Sequence, residues 1–238
     1  MTDHPATEAE AHPHSHTDVS GGWLRAAVFG AMDGLVTNTA LVAGLGAAAS
    51  SGTVILGGVA GLTAGAISMA LGEWTSVSTQ NEQLDLELDK ERRELRIHPI
   101  EERAELVDLW VSRGLDRDLA GQVAEQLSRD PEQELREHAR AELGLDPDEK
   151  PSPWTAGISS FVCFALGALI PLLPYLMGYG EVWLAVAVGG VGLFFAGVLS
   201  ARFTARPWWS GGLRQLIMGL LAAGVTYLIG YWIGAPTS

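Results

Sequence analysis

Cysteine, nucleotide-binding motifs and a signal peptide are missing or nearly missing from this sequence. Cys163 is the single cysteine among 238 residues, and it lies in an apolar run. No disulfide can form within the chain, so nothing indicates an oxidising compartment. A phosphate-binding loop with Gly-Lys-Ser/Thr is absent, so an ATP-driven pump has no support. The first 20 residues are polar, carry four histidines and lack the order of segments that marks a signal peptide.

Positive charge is scarce, and charge of both signs is unevenly distributed. The chain has 15 Lys and Arg against 28 Asp and Glu, yet 47% of its residues are hydrophobic. Of the acidic residues, 21 lie between Glu82 and Glu149, and 11 of the basic residues lie between Lys90 and Lys150. This segregation indicates membrane spans with one charged aqueous domain. We expect no nucleic-acid partner for a chain of net charge −13.

Five apolar segments are long enough to cross a bilayer, which takes about 20 residues of helix for a hydrocarbon core of about 30 Å. They run approximately over 23–49, 54–77, 154–177, 182–203 and 213–233. The sequence therefore predicts an all-α, five-span protein with a helical domain inserted between spans two and three. The predicted divisions are a disordered histidine-containing tail (1–21), spans one and two (22–80), the insert (81–150) and spans three to five (151–238).

The distribution of Lys and Arg predicts the orientation of these spans. Five spans place the N-terminus, the insert and the loop at Arg206 on one side of the membrane. The other side then has no Lys or Arg, and all 15 positive charges fall on the first side. Since positive charge favours the cytoplasmic side, the N-terminus and the insert are predicted to be cytoplasmic.

The insert contains carboxylates at helical spacing. No helix breaker separates the second span from residues 82–96, so one long helix is predicted to leave the membrane and end before Pro99, followed by three shorter helices. Pairs that share a helix face are Glu91 with Glu94, Glu102 with Glu105, and His138 with Glu142. Carboxylate and imidazole donors together suit iron and its neighbours, so the pairs are candidate metal ligands. The alternative is a solvated acidic surface.

Two carboxylates and a thioether lie within the first two spans. Asp33 and Glu73 are ionisable residues in apolar surroundings, which cost about 2.5–3.5 kcal/mol each at a bilayer centre. With Met69 they predict a path for a soft-to-borderline cation that shares protons with the carboxylates. The alternatives are an interfacial position for Glu73 and simple core filling by Met69. Gly57, Gly61 and Gly65 recur on one helix face, which fits either packing within the chain or a dimer seam.

Three runs resemble signatures of the vacuolar iron transporter family. They are Arg25-Ala-Ala-Val-Phe-Gly-Ala-Met-Asp-Gly-Leu-Val-Thr-Asn, Ala64-Gly-Ala-Ile-Ser-Met-Ala-Leu-Gly-Glu-Trp-Thr-Ser-Val and Gly167-Ala-Leu-Ile-Pro-Leu-Leu-Pro-Tyr. The resemblance covers about 22–233 and is closest to a bacterial-type member with a cytoplasmic metal-binding domain. It implies a five-span homodimer, not an enzyme, that exports Fe²⁺ and often Mn²⁺ from the cytosol in exchange for protons.

The resemblance also implies roles for particular residues. Asp33 and Met69 correspond to residues of a path between the two protomers. Metal ligands of the cytoplasmic domain correspond to Glu91, Glu94, Glu102, Glu105 and Glu142. The chain departs from some members in having His138-Ala139 instead of two methionines, where His138 is expected to substitute. It also has Gly61 instead of a glutamate, for which Glu73 is the candidate replacement.

Two functions other than transport are alternatives for this sequence. A membrane-anchored metal sensor or storage protein would bind metal without moving it. An iron-oxidising enzyme is disfavoured, because neither His98 nor His138 has a glutamate three residues before it. No permanently bound cofactor is expected, and the carboxylate ligands would also accept Zn²⁺ or Co²⁺. The expected location, among membrane lipids, is the cell membrane of a bacterium or the vacuolar membrane of a eukaryote.

Overall fold

The computed structural model describes residues 22–144, 146–148, 150–202 and 207–234, with the backbone alone for Glu142 and Leu143, and these residues form helices joined by short turns and loops. The helices are α1 (Gly22–Gly46), α2 (Ser51–Ile97), α3 (Pro99–Ser112), α4 (Arg117–Leu127), α5 (Pro131–His138), the π-helical turn Ala139–Leu143, α6 (Pro153–Leu176), α7 (Val182–Arg202) and α8 (Trp208–Gly234). Helices α1, α2, α6, α7 and α8 are long and apolar enough to span a membrane. The predicted all-α, five-span class is thus confirmed. The predicted tail (1–21) and Arg206 lie outside the described residues.

Helix α2 extends well beyond the thickness of a bilayer. Its 47 residues correspond to about 70 Å of helix, against a hydrocarbon core of about 30 Å. It begins after Ser50, whose hydroxyl accepts a hydrogen bond from the Thr53 N–H. It ends before Pro99, which disfavours helical backbone in the residue that precedes it. The membrane span and the first helix of the insert are therefore one continuous element.

Helix α1 lies at the centre of the apolar bundle and packs against α2, α6, α7 and α8. Its closest neighbour is α6, and glycines allow that approach. A Cβ atom on Gly34 would lie 2.2 Å from the Phe164 carbonyl oxygen, and one on Gly167 would lie 2.3 Å from that of Ala31. At this crossing the buried Asn38 donates a hydrogen bond of 2.5 Å from Nδ2 to the Ala168 carbonyl. Small residues thus fix the position of α1 against α6.

The glycine face of α2 is used for packing within the chain. The atoms nearest to a Cβ placed on Gly57, Gly61 and Gly65 belong to Leu45, Leu41 and Phe164 respectively, at 2.3–2.4 Å. These side chains come from α6 and from the end of α1. Of the two readings that the sequence left open for this face, the structure therefore favours intramolecular packing over a dimer seam.

Helix α8 begins five residues earlier than the sequence predicted. The fifth span was expected to begin near Leu213, but Trp208 and Trp209 already form the first turn of the helix. The Pro207 carbonyl accepts hydrogen bonds from the N–H groups of Ser210 (3.0 Å) and Gly211 (3.5 Å). Pro207 suits this position because it has no N–H of its own to satisfy. Hydropathy alone misses the turn, because its apolar content is low.

The insert is packed onto the extension of α2. Leu84 and Leu88 of α2 form a buried cluster with Leu135 of α5 and Ala139 of the π-helical turn. The returning chain is fastened to the same helix, since Asn81 Nδ2 donates to the Pro151 carbonyl at 3.0 Å. Lys150 also forms an ion pair with Asp85. The apolar cluster holds α5 in a defined rotation against α2. This rotation decides which side chains of α5 face inward.

Candidate metal centre and transmembrane residues

Three predicted ligands from three helices meet in the insert. Nδ1 of His138 (α5) lies 3.2 Å from Oε1 of Glu91 (α2) and 3.7 Å from Oε2 of Glu102 (α3). One ligand atom from each residue lies within 4.8 Å of the other two. The exposed fraction of the side chain is only 2% for His138, 15% for Glu91 and 10% for Glu102. We call Glu91, Glu102 and His138 the triad.

The triad has the composition and spacing of a divalent-cation site. Two ligand atoms bound to one ion at about 2.1 Å are at most about 4.2 Å apart, so sub-ångström side-chain shifts would let the triad close on an ion. Two facing carboxylates repel each other, and a cation between them removes that cost. Their combined charge matches that of a divalent ion. A carboxylate–imidazole set is suited to Fe²⁺, Mn²⁺ and Zn²⁺ rather than to soft monovalent ions.

A cavity opens beside the triad. Its volume is about 360 Å³, and Glu105, Asp108, Ser112 and His138 contribute polar side chains to its wall. Glu105 lies one turn after Glu102 on α3. Its side chain lines this cavity and does not belong to the triad. An ion entering from solvent would meet these carboxylates before it reached His138.

The other two predicted ligands of the insert have different outcomes. Glu94 is exposed, and its Oε2 lies 3.9 Å from Nε2 of His98. It is not part of the triad. Glu142 belongs to the π-helical turn, but its side chain lies outside what the structure describes. That turn follows His138 directly, and such turns are frequent at functional sites. No signal in the sequence predicts it.

An ion pair closes the segment that follows the triad. The Arg140 guanidinium donates two hydrogen bonds, of 3.0 and 2.7 Å, to Oδ2 of Asp146. The pKa of Asp146 is lowered, first by the hydrogen bond from the Asp148 N–H and second by that from Arg140. The same contact raises the pKa of Arg140. This pair fixes the chain just after the π-helical turn.

Within the spans, Asp33 lies on the open face of α1. Arg25, Phe29, Asp33 and Thr37 follow one another at four-residue intervals, and all except the half-buried Asp33 are exposed. The Thr37 hydroxyl donates a hydrogen bond of 3.2 Å to Oδ1 of Asp33. We call these four residues the α1 stripe. It places the carboxylate of Asp33 near the middle of α1, on the face that also carries Arg25 and Thr37.

Met69 and Glu73 lie one turn apart on α2 but have different surroundings. Met69 is half-buried and packs against the cluster of Ala66, Phe164 and Ala168. Glu73 is 7% exposed, and its Oε2 accepts a hydrogen bond of 2.7 Å from Nη2 of Arg25. The sequence had placed Glu73 beside Asp33 and Met69 as a cation ligand and gave no indication of its pairing with Arg25.

Five apolar helices, a carboxylate on the open face of α1 and a carboxylate–imidazole triad define a multi-pass membrane protein with a candidate metal site. The model of the VIT family matches residues 24–231, which is most of the chain. The chain belongs to the VIT family.

Vacuolar iron transporters are similar to this chain over most of their own length and of its length. A vacuolar iron transporter of Acanthamoeba castellanii is 36% identical, over 96% of this chain and 84% of its own. Vacuolar iron transporter 1 of Oryza sativa subsp. japonica is 34% identical, over 93% and 91%. Vacuolar iron transporter 1 of Arabidopsis thaliana is 31% identical, over 94% and 90%. The chain is therefore an integral membrane protein of a metal-transport family and not an enzyme.

Proposed function

We propose that this protein moves Fe²⁺, and also Mn²⁺, out of the cytosol in exchange for protons. The observation that carries the proposal is the triad, one member of which, Glu91, lies on the same continuous helix as the second span. A divalent ion held by Glu91 is thereby connected to the second span through unbroken helix. The similarity to vacuolar iron transporters favours iron as the main transported ion.

The insert (81–150) serves as a cytoplasmic metal-collecting domain in this proposal. Of the 28 acidic residues, 21 lie between Glu82 and Glu149, and such a field raises the local concentration of cations. The triad, the neighbouring Glu105 and the ligand candidates Glu94 and Glu142 hold ions close to the mouth of the path. Because free metal in a cytosol is scarce, pre-concentration raises flux. The cytoplasmic orientation follows from the positions of Lys and Arg.

The translocation path is assigned to Asp33 and Met69. Asp33 lies on an open face of α1, together with the exposed Arg25 and Thr37. A charged side chain that faces lipid at the bilayer centre costs about 2.5–3.5 kcal/mol even on the mildest scale. This face of α1 is therefore expected to border a water-filled space or another protein surface. A second copy of the chain, packed face to face, would enclose two α1 stripes around one axis. The proposed assembly is therefore a homodimer with the path between protomers.

Proton exchange is assigned to Asp33, the carboxylate of this path. A carboxylate that releases an ion on the far side of the membrane accepts a proton more readily than one that keeps the ion, because its negative charge is then uncompensated. A return of protons to the cytosol would reset Asp33 for the next ion. Residues 1–21, with four histidines, have no assigned part in this cycle.

Flux into proteoliposomes tests the proposal. Vesicles containing the wild-type chain and an internal metal-sensitive dye should take up Fe²⁺ and Mn²⁺, and faster with an outward-directed proton gradient. Asp33→Asn should abolish uptake while metal binding by the triad persists. Thr37→Val is the matched control, since it removes the 3.2 Å hydrogen bond but keeps the carboxylate. Intact binding without flux in the wild type would instead identify a metal sensor or store.

A further inference from the structure

An ion pair joins the first two spans at the end of the bundle from which the insert leaves. Nη2 of Arg25 lies 2.7 Å from Oε2 of Glu73, although 48 residues separate them. The Glu73 side chain is 9% exposed and that of Arg25 is 62% exposed. The carboxylate of Glu73 is thus buried against Arg25, whereas most of the Arg25 side chain is exposed on the open side of α1.

Arg25 lies on the same face of α1 as Asp33. The two residues are eight positions apart, which corresponds to two turns, or about 12 Å along the axis. Arg25 lies in the first turn of α1, and Phe29 lies between it and Asp33. In the proposed orientation, a cation that leaves the insert for Asp33 passes Arg25 first. Arginine cannot lose its proton in a protein, so Arg25 keeps a positive charge beside this route at any physiological pH.

We propose that Arg25 and Glu73 form a charge-compensated mouth of the cation path, in which Glu73 is the counter-ion of Arg25 and not a ligand of the transported ion. Glu73 therefore acts as a positioning residue for Arg25. An uncompensated guanidinium at this point repels a divalent ion and slows its entry. A divalent ion that bound Glu73 would have to displace the guanidinium from its carboxylate. The proposal rests on the transport function and gives Glu73 a different role from Asp33 and Met69.

Initial rates of Mn²⁺ uptake into proteoliposomes separate the two roles of Glu73. Glu73→Gln leaves Arg25 uncompensated and should lower the rate on the order of tenfold. Removal of both charges in the Arg25→Gln/Glu73→Gln variant should restore the rate to within roughly twofold of the wild type, because the repulsion disappears with its source. If Glu73 were a ligand of the ion, the double variant would remain as slow as Glu73→Gln.

Folding is checked independently of flux. Mn²⁺ binding to the insert, measured by calorimetry on each purified variant, should stay within roughly twofold of the wild type, since the triad is unchanged. The reversed pair, Arg25→Glu/Glu73→Arg, keeps one charge of each sign and serves if Glu73→Gln does not fold. It should transport Mn²⁺ above the background of empty vesicles, because the guanidinium keeps a counter-ion. A rate no higher than that background would overturn the inference.

Glu125→Gln is the matched control. Glu125 of α4 also pairs with an arginine, Arg129, at 3.7 Å, but both side chains are exposed to solvent. Its removal should leave uptake unchanged, because surface pairs contribute little and this one lies on no proposed path. Absence of flux in the wild type would refute the transport function itself. Wild-type flux with no recovery in the double variant would refute only the role proposed here for Arg25 and Glu73.

Discussion

The carboxylate of Glu91 lies 3.2 Å from the imidazole of His138, although the two residues belong to helices that are distant in the sequence. The contact exists because α5 lies against α2 through a small apolar cluster that includes Leu88 and Leu135. The cluster fixes the rotation of both helices, and Glu102 reaches the same point from α3. The structure therefore separates the predicted ligands into those that converge and those that do not.

The first prediction distinguishes Glu91 from Glu94. Glu91→Ala should weaken the tightest Mn²⁺ or Fe²⁺ site by at least about tenfold, because it removes one of three converging donors. Glu94→Ala is the control from the same helix, and it should change affinity by less than roughly twofold, since Glu94 is exposed and outside the triad. Calorimetric titration of each purified variant measures both. Equal losses would show that Glu94 also binds the ion.

The second prediction concerns the apolar support of the triad. Leu88 is 5% exposed, so Leu88→Ala should destabilise the insert by about 2–5 kcal/mol and weaken metal binding with it. Leu86 is 62% exposed on the same helix, and Leu86→Ala should change stability by less than about 0.5 kcal/mol. Thermal unfolding of the insert followed by circular dichroism gives both values. A Leu88 variant as stable as the wild type would contradict the packing described.

The third prediction compares two glycines of α8. A Cβ on Gly230 would lie 2.0 Å from the Gly44 carbonyl oxygen, so Gly230→Ala must push α8 away from α1 and should cost about 1–3 kcal/mol. A Cβ on Gly224 would meet nothing within 4 Å, and Gly224→Ala should be tolerated within about 0.5 kcal/mol. Thermal stability in detergent, measured for both variants, provides the comparison. Similar melting temperatures would argue against the close approach of α8 to α1.

The fourth prediction concerns the pH dependence at Asp146. Its folded-state pKa lies below the ordinary value of 3.8, because the Asp148 N–H and the Arg140 guanidinium favour the charged form. The contribution to stability is therefore fully present above the unfolded pKa and is lost as the pH falls through the lower, folded pKa. Asp146→Asn should be less stable than the wild type at neutral pH, and the difference should shrink in acid below pH 3.8. Unfolding curves at several pH values measure it, and a difference that grows on acidification would contradict the sign.

Part of the site was predictable because it depends on local patterns. Helical spacing alone paired Glu91 with Glu94 and Glu102 with Glu105. It did not show which member of each pair faces inward, because residues three apart differ by about 60° around a helix and only packing selects between them. The same limit applies to Glu73. Its spacing from Met69 placed the two residues one turn apart on one helix, but its partner Arg25 lies on another helix.

The sequence by itself determined the class of this protein. The length of each apolar run and the position of the charged block are local properties, and hydrophobic thickness converts them directly into five spans with one insert. Only the tertiary structure decided that Glu91, Glu102 and His138 meet, that Gly57, Gly61 and Gly65 pack within the chain, and that Glu73 compensates Arg25. Those outcomes depend on the rotation and separation of helices that are remote in sequence, and these are set by the packing of whole helix faces.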